Sequence, residues 1–219
     1  NDGFNSNKDI NNYETKVKIY NLGIKTVKNF IKQHQVDCDW NECGKYFASS
    51  TLKDEKKAKH FNELLTKLNF SNKILYQNDL KGRLGTNFYK VAVYTKGGIL
   101  LNPAKLAQAM IKALPENVTL YENTFLLKWK KFGDKIDCVF KNFNIETKKI
   151  IFCTNGFLNK LGIKKRYNFP ITLTASMTRP LNEEELESIG KPSEWGVLPI
   201  RPMGATIRMT KDRRILIRN

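Results

Sequence analysis

Thr154, Asn155 and Gly156 end the apolar run of the stretch IIFCTNGFL. A small hydroxyl, a turn former and a glycine in that order let a backbone come close to a ligand, although the same triplet serves most often as a plain turn. Other residues able to do chemistry are sparse. Cys38 and Cys43 have four residues between them, and His34 and His60 are the only histidines. Zinc sites use tighter pairs, repeated, so no metal is expected and the thiols read as structural, with Cys153 filling the place of a small hydrophobe inside its apolar run. No Ser-His-Asp set, HExxH helix or Walker loop is present, and no G-x-G-x-x-G turn. The catalytic residue, if there is one, cannot be named from these patterns.

The elements that must position the triplet follow from periodicity. Val17, Tyr20, Ile24, Val27, Phe30 and Ile31 recur at helical spacing, with a break expected at Asn21, Leu22 and Gly23. VDCDWNECGKYFAS reads as extended segments around a turn at Gly44, and Thr51 caps an amphipathic helix whose apolar face is Ala58, Phe61, Leu64, Leu65 and Leu68. NFYKVAVYT is strand-like and ends in a tight turn at Gly97 and Gly98. Asn102 then caps a helix that has Pro103 at its first position and stops before Pro115. NVTLYE reads as a short strand, FLLKWKKFGDKIDCVFKNF as a hairpin turning at Gly133 and Asp134, and KKIIFCTNG as a buried strand. FPITLTASMTRP reads as a long strand, LNEEELESIG as a helix capped by Asn182, and GATIRMT with RRILIRN as a hairpin. Such an order suggests an α/β sheet with an antiparallel insertion. Trp40, Trp129 and Trp195 are read as packing residues.

Composition sets the outer bounds. The net charge of +17 comes from 38 basic and 21 acidic side chains, but 30 of the basic residues are Lys and eight are Arg. Base and phosphate readers lean on Arg forks, and the 11 basic residues between 126 and 168 alternate with apolar ones, as on a solvated face. Nucleic acid is therefore the weaker reading. No run approaches the ~20 apolar residues of a membrane helix and no signal-peptide layout opens the chain, so a cytoplasmic protein with reduced thiols is expected. The start at Asn1 without Met, and a final strand-like run that reaches Asn219, suggest a piece of a longer protein.

Taken in order, NDGFNSN, VDCDWNECGKYFAS, GGILLNPAKLAQAMIKAL, KKIIFCTNGFL and TIRMTKDRRILIRN resemble the D-amino-acid-oxidase-like superfamily of flavoenzymes. Within it they are most similar to the glycine oxidase and gamma-glutamylputrescine oxidoreductase branch. The resemblance implies an α+β fold, in which an α/β remnant of a cofactor domain joins a substrate domain built on a mixed, antiparallel-rich sheet. It divides the chain into a helical part of the cofactor domain at 1–87, a substrate sheet at 88–101 with 164–219, and a returning cofactor-domain segment at 102–163. It implies FAD, with Asn1, Gly3 and Phe4 against the flavin and Phe125 where relatives carry Val near the adenine. Thr154, Asn155 and Gly156 would then close over the dinucleotide, and Arg208 would face the substrate. In such enzymes the hydride on the α-carbon of an amine or amino acid passes to the flavin. The glycine-rich phosphate loop of the family would precede Asn1, so this chain by itself is expected to be inactive and to hold FAD weakly. The competing reading is a non-catalytic basic module that docks an acidic partner or RNA. Substrate, electron acceptor and oligomeric state are not legible.

Overall fold

Val91, Ala92 and Val93 follow one another in a strand, and all three are buried. Successive side chains of a strand point to opposite faces, so this run demands a covering layer on each side of its sheet. The computed structural model, which describes residues 10–163, 167 and 170–218, supplies both layers. Its elements are α1 (Ile10–Gln33), β1 (Lys45–Ser49), α2 (Glu55–Lys67), β2 (Asn72–Tyr76), α3 (Gln77–Leu84), β3 (Val91–Thr95) and α4 (Pro103–Lys112). They continue with β4 (Lys128–Phe132), β5 (Lys135–Val139), β6 (Asn144–Thr147), β7 (Ala175–Met177), α5 (Glu183–Ser188), β8 (Trp195–Pro199), β9 (Thr206–Met209) and β10 (Ile215–Arg218). Among the described residues no helix is long and apolar enough to cross a membrane.

Seven strands form one mixed sheet in the order β2-β3-β1-β8-β9-β10-β7. The β1–β8 pair is parallel, with Tyr46 opposite Val197, and the remaining pairs are antiparallel. One face buries Tyr46, Ala48, Leu75, Ala92, Trp195, Val197 and Met209 against Leu80 and Leu84 of α3 and Leu186 of α5. The other buries Val91 and Val93 under Ala58 and Leu65 of α2, and Phe47 meets Phe61 edge-on at 4.8 Å. The chain divides into two compact units, residues 1–113 with 174–219 and residues 114–173. The smaller unit carries the antiparallel β4-β5-β6 sheet, with Ile136 and Cys138 of β5 buried. The fold is thus α+β, as expected.

Several local expectations are met. Thr51 accepts from the amide of Lys53 and opens a 3-10 turn that leads into α2, while the Asn102 side chain accepts from the amides of Ala104 and Lys105 at the start of α4. The Gly97–Gly98 turn is real, and Gly98 has a second reason to be glycine. A Cβ there would lie 2.6 Å from the carbonyl carbon of Gly44, whose amide donates to the Gly98 carbonyl at 2.9 Å.

Four expectations are corrected. The first helix runs through Gly23 unbroken, because that position is open on all sides and the helix merely loses the ~1 kcal/mol of a glycine. It ends instead at Gln33, closed by the left-handed Gln35 (φ 51°) and by the Val36 amide bonded to the Ile31 carbonyl. NVTLYE and KKIIFCTNG form no ladder; the second meets β4 through side chains, Phe152 against Trp129, and Cys153 is exposed rather than buried. The long strand read in FPITLTASMTRP reduces, in its described part, to the three residues of β7, which pair with β10 at the sheet edge.

Candidate functional site

In the larger unit, Ile207 and Met209 of β9 pack into the core, so Arg208 between them projects from the opposite face. Across the ladder Arg208 stands level with Gly196 of β8 and Leu216 of β10, and Leu216 with Met177 of β7, so these four residues share that face. Leu100 lies over Gly196, 3.2 Å from where a Cβ would sit. The parallel β1–β8 register brings Lys45 beside Gly196 on the same face. Two strand spacings separate Lys45 from Arg208, about 10 Å.

Both cations are half-buried, and neither forms an ion pair with a carboxylate among the described residues. The Lys45 ammonium sits 5.1 Å from the Phe47 ring centre, and burial pushes its pKa down from the ordinary lysine value. Two cations on one sheet face, neither with a carboxylate partner among the described residues, can accept a small carboxylate-bearing molecule. The hairpin that presents Arg208 is tethered through Asp39, whose carboxylate meets Lys105 of α4 at 3.0 Å and Lys211 of the β9–β10 turn at 3.3 Å. The Lys105 hydrogen bond, seconded by Lys211, holds that carboxyl below its usual range despite partial burial.

The smaller unit carries the triplet. Thr154 precedes the 3-10 helix Asn155–Leu161, and its carbonyl accepts from the Phe157 amide at 3.0 Å. The Thr154 hydroxyl oxygen is buried and has no hydrogen-bond partner among the described residues. Asn155 is left-handed (φ 46°), and a Cβ on Gly156 would lie 3.2 Å from Pro170. This turn is braced on the hairpin by Trp129, which donates from Nε1 to the Leu161 carbonyl at 3.0 Å and meets the Phe152 ring at a tilt, 5.3 Å between centres. Phe125 leads into β4 and is 78% exposed. Asn1, Gly3 and Phe4 lie outside the described residues. Thr154, Asn155, Gly156 and Phe125 thus belong to one unit and Arg208 to the other.

Sequence reasoning missed Lys45. The signal was present but weak, a lone Lys alternating with the apolar Phe47 at the head of a strand, directly after a glycine. All four cysteines are free thiols, and among the described residues no cluster of three His, Cys, Asp or Glu side chains could hold a metal.

Comparison with known proteins gives a consistent result. Residues 5–219 match the family described as FAD dependent oxidoreductase (DAO). A Bacillus subtilis (strain 168) protein named for a Rieske 2Fe-2S iron–sulfur centre, YhfW, is 26% identical over 132 residues, covering 60% of this chain and 25% of that protein. The structure of glycine oxidase from Geobacillus kaustophilus superposes with a TM-score of 0.67 at 15% identity, over 92% of this chain and 53% of that one. L-proline dehydrogenase from P. horikoshii does so with a TM-score of 0.71 at 16% identity, over 93% and 55%. The chain therefore spans about a quarter of the curated relative and about half of these structural relatives.

Proposed function

The chain belongs to the FAD dependent oxidoreductase family, and we propose that the protein containing it oxidises the C–N bond of a small amine or amino acid with FAD as the bound acceptor. The observation that carries this reading is Arg208, a half-buried guanidinium with no carboxylate partner among the described residues, on the sheet face it shares with Lys45. A guanidinium presents a planar fork to a carboxylate. Lys45 adds positive potential on the same face and has no carboxylate partner among the described residues. The names of the two structural relatives point the same way, one an oxidase of glycine and the other a dehydrogenase of L-proline.

For the cofactor, the buried, unpartnered Thr154 hydroxyl fits a polar group brought from outside, and the Asn155–Gly156 turn leaves the backbone accessible beside it. These residues, with Phe125, would hold one side of FAD, which supplies a two-electron acceptor when bound. The chain has no G-x-G-x-x-G turn to cradle a pyrophosphate. The 219 residues alone are accordingly expected to bind FAD weakly or not at all, and stoichiometric flavin on this very chain would refute that expectation.

The test of function uses the full-length flavoprotein. Anaerobic addition of small amino acids should bleach the flavin absorption band. Arg208→Gln should raise KM for carboxylate-bearing substrates by about tenfold or more, and much less for amines without a carboxylate. Equal effects on the two classes would remove Arg208 from substrate binding, and no bleaching by any amine or amino acid would sink the C–N assignment.

A further inference from the structure

A second cleft opens on the other side of the large sheet. It has a volume of about 500 Å³ and lies between the end of α3 and the segment that enters β8, with Arg83, Tyr94, Glu194 and Trp195 among its walls. All of these belong to the larger unit. Trp195 projects into the core face while Gly196 lies on the face shared with Arg208, so the thickness of the sheet separates this cleft from the Arg208 face.

Three features of the cleft are incomplete. The Arg83 guanidinium lies 5.7 Å from the Tyr94 ring centre and has no carboxylate partner among the described residues. Glu194 is half-buried and likewise has no cationic partner, although it stands close enough to help raise the pKa of the Cys43 thiol, after burial itself. Opposite charges that line one cleft without meeting leave a space that a ligand can bridge. Trp195, 5% exposed, has an indole Nε1–H with no acceptor among the described residues, an unmet donor in the cleft wall. Two neighbouring polar groups are already engaged. The Tyr94 hydroxyl donates to the Cys43 carbonyl at 3.1 Å, and Lys191 pairs with Glu187 at 2.9 Å.

We infer that this cleft binds a small zwitterion, its carboxylate on Arg83, which rests on the Tyr94 ring, and its ammonium group on Glu194. A simple anion would bring Arg83 a partner but meet repulsion from Glu194, and a simple cation would face the reverse. Only a molecule carrying both charges satisfies both walls, and the volume suits a free amino acid or a short ω-amino acid. The site needs no flavin and does not depend on the proposed oxidation.

Calorimetric titration of the purified protein tests it, with L-alanine and 5-aminopentanoate as zwitterions of two charge separations and pentanoate and pentylamine as single-charge controls. At least one zwitterion should bind, and the controls about tenfold more weakly or worse. Arg83→Gln and Glu194→Gln, both at solvent-accessible positions and checked for an unchanged circular dichroism spectrum, should each weaken zwitterion binding by a similar factor. Because Arg208 is itself assigned to carboxylate binding on the opposite face, the titrations are made in an Arg208→Gln background, where zwitterion binding should persist. Absence of binding by either zwitterion, equal binding of pentanoate, or binding that survives both cleft substitutions would overturn the inference. Loss with Arg208→Gln alone would do so too, because the ligand would then sit on the opposite face.

Discussion

Asp54 is 2% exposed and nonetheless charged. The Arg201 guanidinium at 2.7 Å, then the Ser49 hydroxyl at 2.7 Å, hold its carboxyl below the ordinary aspartate range against the cost of burial. Because the folded pKa is depressed, the contribution to stability is present above the unfolded value near 3.8 and is lost as pH falls below it. Asp54→Asn should cost about 2 kcal/mol in urea denaturation at pH 7, and wild type and variant should converge towards pH 2. Arg201→Gln leaves the carboxylate buried with weaker partners, so its deficit should be largest at neutral pH and shrink as Asp54 protonates. None of this was legible beforehand, because Ser49, Asp54 and Arg201 converge only through the tertiary fold. Lys45 escaped for the same reason, since its neighbours Gly196 and Arg208 arrive from strands far along the chain. Asn102 and Asn182 were readable because a cap is local, its acceptor serving amides two or three residues away.

At the scale of elements, α5 is a six-residue helix held by a capping box. The Asn182 side chain accepts from the Glu185 amide, and the Glu185 carboxylate accepts from the Asn182 amide and from the Arg179 fork at 2.8 Å on each oxygen. Chiefly through Arg179, the Glu185 pKa is lowered to about 2 from an ordinary 4.5. The stabilisation should be complete above pH 4.5 and fade as pH falls towards 2. Glu185→Gln should therefore lower Tm at pH 7 and flatten its pH dependence in that window, and parallel melting curves for the two proteins across it would refute the pairing. Two glycines make an opposed pair. Gly23→Ala, on an open face of α1, should stabilise by about 0.5–1 kcal/mol, whereas Gly98→Ala, driven into the Gly44 backbone, should destabilise by roughly 2 kcal/mol or more; thermal melts decide both. Periodicity exposed α1, α2 and α4, but it gave NVTLYE and KKIIFCTNG as strands. Strand-like composition describes a fit to a neighbour, and here neither segment is laddered to one. The opposite error hid β8, whose Trp195–Pro199 segment ends in proline and reads as loop, yet sits in the middle of the sheet with Pro199 opposite Ala48.

For the whole molecule, a net charge of +17 coexists with conspicuous apolar exposure in the smaller unit, where Ile151 is 86% exposed and Phe125 78%. Mutual repulsion keeps such molecules apart at low ionic strength, and salt shortens its reach to about 10 Å at 0.1 M. Light scattering should show self-association growing from low salt to about 0.5 M, and Ile151→Lys should delay it; association indifferent to that substitution would place the sticky surface elsewhere. The sheet's single parallel pair has a further, temporal consequence. As the chain leaves the ribosome, β2, β3 and β1 can pair early, but residues 50–194 must be made before β8 can join β1. At ordinary elongation rates that is roughly 10–30 s during which the growing protein carries a bare, hydrogen-bond-hungry β1 edge in its most apolar half. The moment of greatest exposure to chaperones and to misassembly is thus written into the position of one strand.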